Sequence, residues 1–478
     1  MTSLALVGLV ALIATSARLN RKDWSGQRPL LSALNVVIAL YILYVLLPAI
    51  LVVMNHGEFV WAPGYQSEGG FLNTILACIL GLGSFIYGNV IQKSMHQRRS
   101  FVARTKVSAA RHSPPIDETL DWLLPILLIT FGTLIKLYVI WSLGGPSGAI
   151  ARLSGGARDR LDLYDANATL IALRTLSGIA DAGATWLLIN CVRRRKRLLL
   201  PLIIFSLVLA TSYITIGKRL VLILPIVAVL LAWHSYRRRL TLRAAPWALV
   251  LVTIFGIASL FFRIYLPASI AHISINLEHV AYAQGSPLLF YFYSLEFSTV
   301  EMITVSMRSA AQINEMFGGR MDAFWTTNIV PFSYGIPRAL MPGKPDAFYD
   351  LSHAVSSVLI GTNLHDSQVG YASTIIGTSY IIGGLVGIVV MMFLFGWVVG
   401  IIDHQAQFKA PSTRRIIWHA LQLTLVFQFF RQGTLGWTFI VTIVQQYGFV
   451  LALIVLGLPV RLTRHMYRNR ERDISVNP

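Results

Sequence analysis

The residues with the clearest potential for chemistry are basic side chains in or beside apolar segments. Gly217, Lys218 and Arg219 form a tight turn between two apolar runs, at the start of the second run. The first backbone N–H groups of a helix have no intrahelical partner and carry the positive end of the helix dipole. This turn is therefore suited to an anion such as phosphate. The alternative is a solvated turn whose cations reach lipid headgroups.

Two further arginines are expected at a similar membrane depth. Arg263 and Arg431 each lie near the predicted outer end of an apolar run. Together with Lys218 and Arg219 they place four cations on three helix ends, and such a cluster needs an anion. A polyprenyl pyrophosphate headgroup would supply one at that depth. Four unrelated interfacial anchors are the competing interpretation.

Segment 144–166 combines glycines with basic residues. Its glycines allow the backbone to approach a ligand closely. Arg152, Arg158 and Arg160 could bind phosphate or an acidic sugar. A flexible loop with local ion pairs is the alternative.

A second basic segment is stiffened by proline. Segment 336–345 contains three prolines, which restrict its backbone and could hold Arg338 and Lys344 in fixed places. The most obvious acid and base groups follow, at Asp350, His353, His365 and Asp366.

Transfer to a sugar hydroxyl benefits from a general base, for which His365 and Asp366 are the candidates. Ordinary hydrogen bonding within a loop is the alternative for each of them. The spacing of the histidines does not indicate a metal site, and we expect no cofactor.

Three charged residues lie deeper, inside apolar runs. Lys136 and Arg174 are predicted in the outer half of their spans, and Asp181 near the centre of its span. Charges in a bilayer are costly and usually paired, so Lys136 and Asp181 are predicted to pair across adjacent helices. Structural and functional roles both stay open for these three residues.

The elements that must position these residues are membrane helices. The chain has 478 residues, of which 55% are hydrophobic and 13% charged, with a mean hydropathy of +0.63. We predict an all-α polytopic membrane protein, because a soluble protein of this composition could not cover its apolar surface. Spans are expected near 2–17, 29–54, 71–91, 122–143, 167–191, 198–216, 220–235, 247–266, 373–399, 416–434 and 436–460.

The distribution of basic residues predicts the orientation. Of the 40 Lys and Arg residues, 27 cluster in segments that fall on one side if the eleven spans alternate. Such clusters mark the cytoplasmic side, so we expect a multi-pass protein of the bacterial inner membrane with a cytoplasmic C-terminus. This topology explains the net charge of +19 better than nucleic-acid binding does. The basic segments are 18–28, 92–121, 193–197, 236–246, 400–415 and the tail after 460.

Three regions follow from these spans. Residues 1–266 form an N-terminal bundle of about eight helices, 267–372 a large extracytoplasmic loop, and 373–478 the last helices with a basic tail. Within the large loop, a half-apolar stretch at 287–305 contains Glu296 and Glu301. Because two carboxylates are costly in lipid, we expect this stretch to pack on the bundle as an amphipathic or re-entrant helix.

Four passages resemble the Wzy-type oligosaccharide repeat-unit polymerases of bacterial O-antigen and exopolysaccharide synthesis. The turn at Thr215–Leu220 is similar to the basic turn that opens a mid-chain helix in that family. Ile336–Pro345 resembles its Pro-Arg…Lys-Pro loop. Ser373–Gly387 resembles the end of its large outer loop, and Phe429–Gly433 its late Phe-Arg-Gly motif. One departure is that Thr378 and Ser379 follow Gly377, where the family usually has a glutamate.

The resemblance implies a GT-C-like glycosyltransferase that is metal-independent and inverting. Such an enzyme moves a growing glycan from polyprenyl pyrophosphate onto the next lipid-linked repeat unit. It implies that Lys218, Arg219, Arg338, Lys344 and Arg431 bind the pyrophosphate. Arg263 joins them only from its position at a helix end. A chain-length regulator of the same pathway is an expected partner.

Two other activities remain open at this point. An O-antigen-ligase-type transferase would share the donor and differ in its acceptor. A lipid-linked oligosaccharide flippase would need a cationic cavity that reaches the cytoplasmic half. The cations outside the basic segments crowd into the outer half, which favours an enzyme acting at one face. The chain has no Walker A or zinc-protease motif, which argues against ATP-driven transport and zinc peptidase chemistry.

Overall fold

A computed structural model describes most of the chain as helices. The described residues are 2–22, 32–54, 59, 62–65, 67–103, 120–154, 168–216, 220–237, 299–335, 350–364, 371–405, 412–436, 438–439, 442 and 446–455. No β-strand occurs among them. The α-helices are α1 (Thr2–Lys22), α2 (Ala33–Tyr41), α3 (Leu47–Met54), α4 (Glu68–Ala103), α5 (Leu120–Ser142), α6 (Gly145–Ser154), α7 (Ala168–Leu176), α8 (Ile179–Arg193), α9 (Leu199–Ile216), α10 (Leu220–Tyr236), α11 (Thr299–Arg308), α12 (Ala310–Met316), α13 (Arg320–Asn328), α14 (Leu351–Ile360), α15 (Thr374–Gln405) and α16 (Thr413–Gln432). A π-helical turn (Ile42–Leu46) joins α2 to α3, and 3-10 turns lie at Pro63–Tyr65 and Val330–Gly335.

Five segments of the described chain are long and apolar enough to cross a membrane. They are Ala33–Met54, Gly69–Met95, Trp122–Ser142, Ala172–Arg193 and Thr374–Gln405. Shorter apolar helices include Leu199–Thr215 and Leu222–Tyr236. The polytopic all-helical class is confirmed, whereas the count of eleven spans stays a prediction, and the segment 247–266 lies outside the described residues.

The centre of the bundle is a close crossing of α4 and α15. A Cβ atom added at Gly88 would lie 2.1 Å from the carbonyl oxygen of Phe393, and one added at Gly396 would lie 2.0 Å from that of Phe85. The Asn89 side chain donates to the Gly396 carbonyl over 3.3 Å. Glycine allows this approach, and close backbone packing replaces the hydrophobic effect as the force that joins helices in lipid.

Three contacts join helix ends at one side of the bundle. Asp403, in the last turn of α15, accepts a hydrogen bond from the backbone N–H of Ala33 over 2.6 Å. Thr413 lies 3.4 Å from the side-chain oxygen of Asn190 at the same side. Arg237, which follows α10, donates to the carbonyl of Val192 over 3.0 Å. The orientation of this side in the membrane stays a prediction from the basic segments.

The opposite side of the bundle is joined by a separate set of contacts. Arg308 donates to the Tyr65 carbonyl over 2.7 Å, which ties the large loop to the loop before α4. The Asn328 side chain accepts from the backbone N–H of Leu435 over 2.8 Å. These two contacts lie away from those made by Asp403 and Thr413.

The described part of the half-apolar stretch packs into the bundle. Thr299 to Ser306 of α11 are buried, and Val300 and Ile303 belong to the main hydrophobic core. Glu301 accepts a hydrogen bond from the backbone N–H of Ala62 over 3.1 Å. Its carboxylate is buried but hydrogen-bonded, which is what makes a charge in this position tolerable.

Two segments differ from the sequence prediction. Segment 144–166 was expected to be a loop, yet Gly145–Ser154 is a helix. Gly144 and Gly145 have φ values of 89° and 79°, and Pro146 then stands in the first turn of the helix, where its missing N–H costs no hydrogen bond. The predicted span at 167–191 corresponds to the candidate span Ala172–Arg193, but it consists of two helices that meet at Ser177–Gly178. A Cβ at Gly448 would lie 2.2 Å from the Gly178 carbonyl there.

Candidate functional site

The candidate site is the junction where the end of α16 meets the start of α15 and of α14. Helix α16 ends at Gly433, whose φ of 74° is left-handed and whose N–H donates to the Phe429 carbonyl over 2.8 Å. Glycine is preferred in this position because it has no Cβ to clash with the turn. A Cβ here would lie 2.5 Å from Thr378 Oγ1 and 2.7 Å from the Thr374 carbonyl. The turn at Gly433 is thus wedged against the start of α15.

The start of α15 carries backbone strain and a polar network. Thr374 has a φ of 61°, which is rare for a β-branched residue, and it is fully buried. Strain of this kind persists only where the surroundings enforce it, and it clusters at functional sites. Thr378 Oγ1 lies 3.2 Å from Ser373 Oγ and 3.2 Å from the Gln432 carbonyl, to which it donates. Ser379 Oγ is buried without a hydrogen-bond partner among the described residues.

Ser352 connects α14 to the same helix end. Its hydroxyl lies 3.2 Å from Gln432 Oε1 and 3.3 Å from Asp350 Oδ2, and its single proton is shared between these acceptors. Gln432 is therefore held through its side chain by α14 and through its carbonyl by α15. The neighbouring Arg431 is carried on a helix end that two other helices hold in place.

Asp350 and His353 form a dyad at the start of α14. Asp350 is the N-cap residue, and its Oδ1 accepts from the His353 backbone N–H over 3.1 Å and lies 2.7 Å from His353 Nδ1. Burial alone would lower the pKa of His353, but the hydrogen bond and negative charge of Asp350 outweigh it and raise the pKa above its ordinary value of 6.5. The side chain of His353 is 22% exposed, and that of Asp350 is buried.

Both flanks of the segment 365–370 are fastened to α14. The backbone N–H of Thr362 donates to the Ser357 carbonyl over 2.9 Å. At the far flank, the N–H of Tyr371 lies 3.1 Å from the Ser352 carbonyl and 2.8 Å from Ser356 Oγ. The candidate bases His365 and Asp366 lie between these flanks and outside the described residues.

Arg431 is the one pyrophosphate-clamp candidate whose side chain the structure places at the junction. It lies half-buried in the last turn of α16, where a cation also compensates the negative end of the helix dipole. Within the described chain its guanidinium forms no ion pair. Arg174 is also described, half-buried on α7, and its carbonyl accepts from Ser177 Oγ over 2.6 Å. The other predicted binding residues lie outside the described residues: Lys218, Arg219, Arg263, Arg338, Lys344, Arg158 and Arg160.

The predicted pair of Lys136 and Asp181 is confirmed, and Ser212 completes it. Lys136 Nζ lies 2.7 Å from Asp181 Oδ1, with both side chains almost fully buried. The same ammonium contacts Ser212 Oγ and the Val208 carbonyl. Ser212 Oγ lies 2.6 Å and 2.8 Å from the two Asp181 oxygens. The pair joins α5, α8 and α9 away from the junction, as a structural pair would.

The sequence reasoning missed the roles of Ser352 and Gln432. The position of Gln432 inside the Phe429–Gly433 motif was a signal, but that motif drew attention only to its arginine. Nothing in the sequence marks Ser352, because its partner lies 80 residues away. No group of three or more potential metal ligands occurs in the described part of the chain.

The fold and the junction define a multi-pass helical membrane protein with a polar network where α14, α15 and α16 meet. A model of the family O-antigen polysaccharide polymerase Wzy matches residues 27–461, and the chain belongs to that family. It is thus a membrane protein of polysaccharide biosynthesis, from a family that acts on lipid-linked oligosaccharide repeat units. Neither the curated proteins nor the solved structures include a significant match to this chain.

Proposed function

We propose that this protein polymerises polyprenyl-pyrophosphate-linked oligosaccharide repeat units at the extracytoplasmic face of the bacterial inner membrane. The observation that carries the proposal is the placement of Arg431. Ser352 and Thr378 hold the adjacent Gln432 from two helices, and the Arg431 guanidinium has no carboxylate partner within the described chain. A cation on a fixed helix end, with no carboxylate partner within the described residues, is suited to bind an anionic substrate group.

The proposed reaction is a displacement at an anomeric carbon. A hydroxyl of the incoming repeat unit attacks that carbon, the C–O bond to pyrophosphate breaks, and a general base takes the hydroxyl proton. Negative charge on the leaving pyrophosphate increases in the transition state, so fixed cations lower the barrier. Arg431 is proposed to bind the pyrophosphate together with Lys218, Arg219, Arg263, Arg338 and Lys344, while Arg158, Arg160 and Arg174 contact the substrate.

His365 and Asp366 are the proposed sources of the general base. Their support is that both flanks of their segment are fastened to α14, which itself bonds to Gln432. The Asp350–His353 dyad stands on the same helix and is the second candidate. We further propose a GT-C-like arrangement of eleven spans, a cytoplasmic C-terminus and a chain-length regulator as partner.

The test is the pool of lipid-linked glycans in a strain that lacks this protein, measured by mass spectrometry. The strain is complemented with the wild type, Arg431→Ala, Arg431→Lys or Arg320→Ala. Arg320 is an exposed arginine of α13 and serves as the matched control. We expect single repeat units, accessible from outside, to accumulate without the protein and with Arg431→Ala, and Arg320→Ala to restore polymer.

Other outcomes would assign other activities. Long lipid-linked polymer in the deletion strain would indicate an O-antigen-ligase-type enzyme. Single units confined to the inside would indicate a flippase. A glycan pool that does not change on deletion would overturn the proposal.

A further inference from the structure

The turn after α8 is a run of five basic residues in an unusual backbone conformation. Residues 193–197 read Arg-Arg-Arg-Lys-Arg. The Lys196 N–H donates to the Cys191 carbonyl over 3.1 Å and the Arg195 N–H to the Val192 carbonyl over 3.3 Å. This pattern closes a helix with a left-handed residue that is usually glycine. Here the residue is Arg195, with a φ of 52°.

Arg237 holds this turn rigidly from the end of α10. Its Nε donates to the Val192 carbonyl over 3.0 Å, and its Nη2 lies 3.1 Å from the Lys196 carbonyl. These bonds satisfy the Val192 carbonyl in the last turn of α8 and the Lys196 carbonyl in the basic turn itself. The basic turn is therefore a preorganised structure, and its position does not depend on a ligand.

Trp122 places the turn at the membrane surface. It is the first residue of the candidate span Trp122–Ser142, and tryptophan is enriched at the boundary between lipid and water. The Arg194 guanidinium carbon and Lys196 Nζ lie 5.5 Å and 5.0 Å from the centre of its indole ring. Both distances are within the range of cation–π attraction.

The outer part of the turn has no counterion among the described residues. Arg195, Lys196 and Arg197 are exposed, and none of them forms an ion pair within the described chain. Adjacent like charges repel each other, and an anion bound between them offsets that repulsion. At the boundary of an apolar span, the phosphate of a phospholipid can pair with these cations while its acyl chains contact the apolar helix surface beside them.

We propose that the basic turn at 193–197, with Trp122, is a binding site for the phosphate headgroup of an anionic phospholipid. Arg195, Lys196 and Arg197 contact the phosphate, and the acyl chains lie along α5. The site stands apart from the junction at Gly433, at the side of the bundle that carries Asp403 and Thr413. A lipid bound there belongs to the shell of lipid that surrounds the protein. Its binding does not depend on the polymerase reaction.

The test is native mass spectrometry of the purified full chain in detergent with added phosphatidylglycerol or phosphatidylcholine. The variant Arg195→Gly/Lys196→Gln/Arg197→Gln removes three charges and leaves a residue that suits the left-handed turn better. The matched control is Lys409→Gln/Arg414→Gln/Arg415→Gln, which removes the three basic residues of segment 400–415, a segment that the sequence predicts on the same side. Inorganic phosphate distinguishes a lipid site from a site for soluble phosphate.

We expect the wild type and the control variant to retain phosphatidylglycerol about tenfold more than phosphatidylcholine, and the triple variant to lose that preference. The single variant Arg195→Gly disturbs the fold least, because glycine suits the left-handed turn. It is expected to lose part of the preference for phosphatidylglycerol. Equal preference in the wild type and both turn variants would overturn the proposal. Displacement of the lipid by an equal concentration of inorganic phosphate would also overturn it.

Discussion

Lys136 and Asp181 form a 2.7 Å ion pair in the interior of the helical bundle, where both side chains are almost completely buried. Ser212 hydrogen-bonds to both members of the pair. The arrangement satisfies the charges from three helices, which reduces the cost of placing them in an apolar environment. The three residues are therefore energetically coupled.

Removing one member of this pair is expected to be far more costly than removing both. Lys136→Met leaves the Asp181 carboxylate buried without its cation and is predicted to destabilise the protein by about 3–5 kcal/mol. The double variant Lys136→Met/Asp181→Leu is predicted to recover most of that loss. Thermal unfolding in detergent for the single and double variants measures the coupling. Additive effects of the two changes would contradict the ion pair.

Gly433 and Gly361 offer a matched pair of substitutions, because their φ values are 74° and 73°. Gly361→Ala meets no heavy atom within 4 Å among the described residues and should cost only about 1 kcal/mol of backbone strain. Gly433→Ala adds a clash with Thr378 Oγ1 and the Thr374 carbonyl. We expect a larger loss of stability and a loss of polymer synthesis, measured by thermal unfolding and by glycan analysis.

Equal effects of the two glycine substitutions would show that the end of α16 is not wedged against α15. Loss of polymer with Gly361→Ala alone would move the functional site away from Gly433.

Asp403 caps α2 across a separation of 370 residues. It accepts from the backbone N–H groups of Ala33 and Leu34 over 2.6 Å and 3.2 Å, while the N-cap Ser32 accepts from Asn35 over 3.1 Å. Asp403→Ala is expected to cost about 1–3 kcal/mol, because it leaves buried donors without acceptors. Asp403→Asn should cost less, since an amide oxygen can still accept. Chemical unfolding of both variants in detergent measures the difference, and equal stability of Asp403→Ala and the wild type would exclude the cap.

The dyad of Asp350 and His353 predicts a pH-dependent stability. Because Asp350 raises the pKa of His353 in the folded protein, protonated His353 stabilises the fold. That contribution is fully present below the unfolded pKa, about 6.5, and is lost as the pH rises through the raised folded value. Asp350→Asn keeps an N-cap oxygen and removes the charge. The wild type should therefore exceed this variant in melting temperature at about pH 6, and the gap should narrow toward about pH 9.

The control for the pH experiment is His353→Gln. It lacks the titrating group, so the difference in melting temperature between His353→Gln and the double variant Asp350→Asn/His353→Gln should not vary over the same pH range. A gap between the wild type and Asp350→Asn that is constant with pH would show that Asp350 acts only as a helix cap.

The membrane class, most helix positions and the pairing of Lys136 with Asp181 followed from the sequence, because they depend on local composition. A long apolar run needs a bilayer, and a lone charge inside it needs a partner of opposite sign. The Phe429–Gly433 motif also pointed to the helix end that the structure places at the junction. The sequence also showed Thr378 in a place where the family usually has a glutamate. It did not show that Thr378 donates a hydrogen bond to the Gln432 carbonyl.

Only the tertiary structure revealed the contacts between residues far apart in the chain. The bond from Ser352 to Gln432, the close approach of Gly448 to Gly178 and the capping of α2 by Asp403 each join segments 80 or more residues apart. Glycine-rich sequence at Gly144–Gly145 suggested a loop, yet the chain turns there and continues as a helix. Local periodicity reports which residues face lipid, but the identity of the opposing residue depends on how the helices pack, and a single sequence carries no record of that packing.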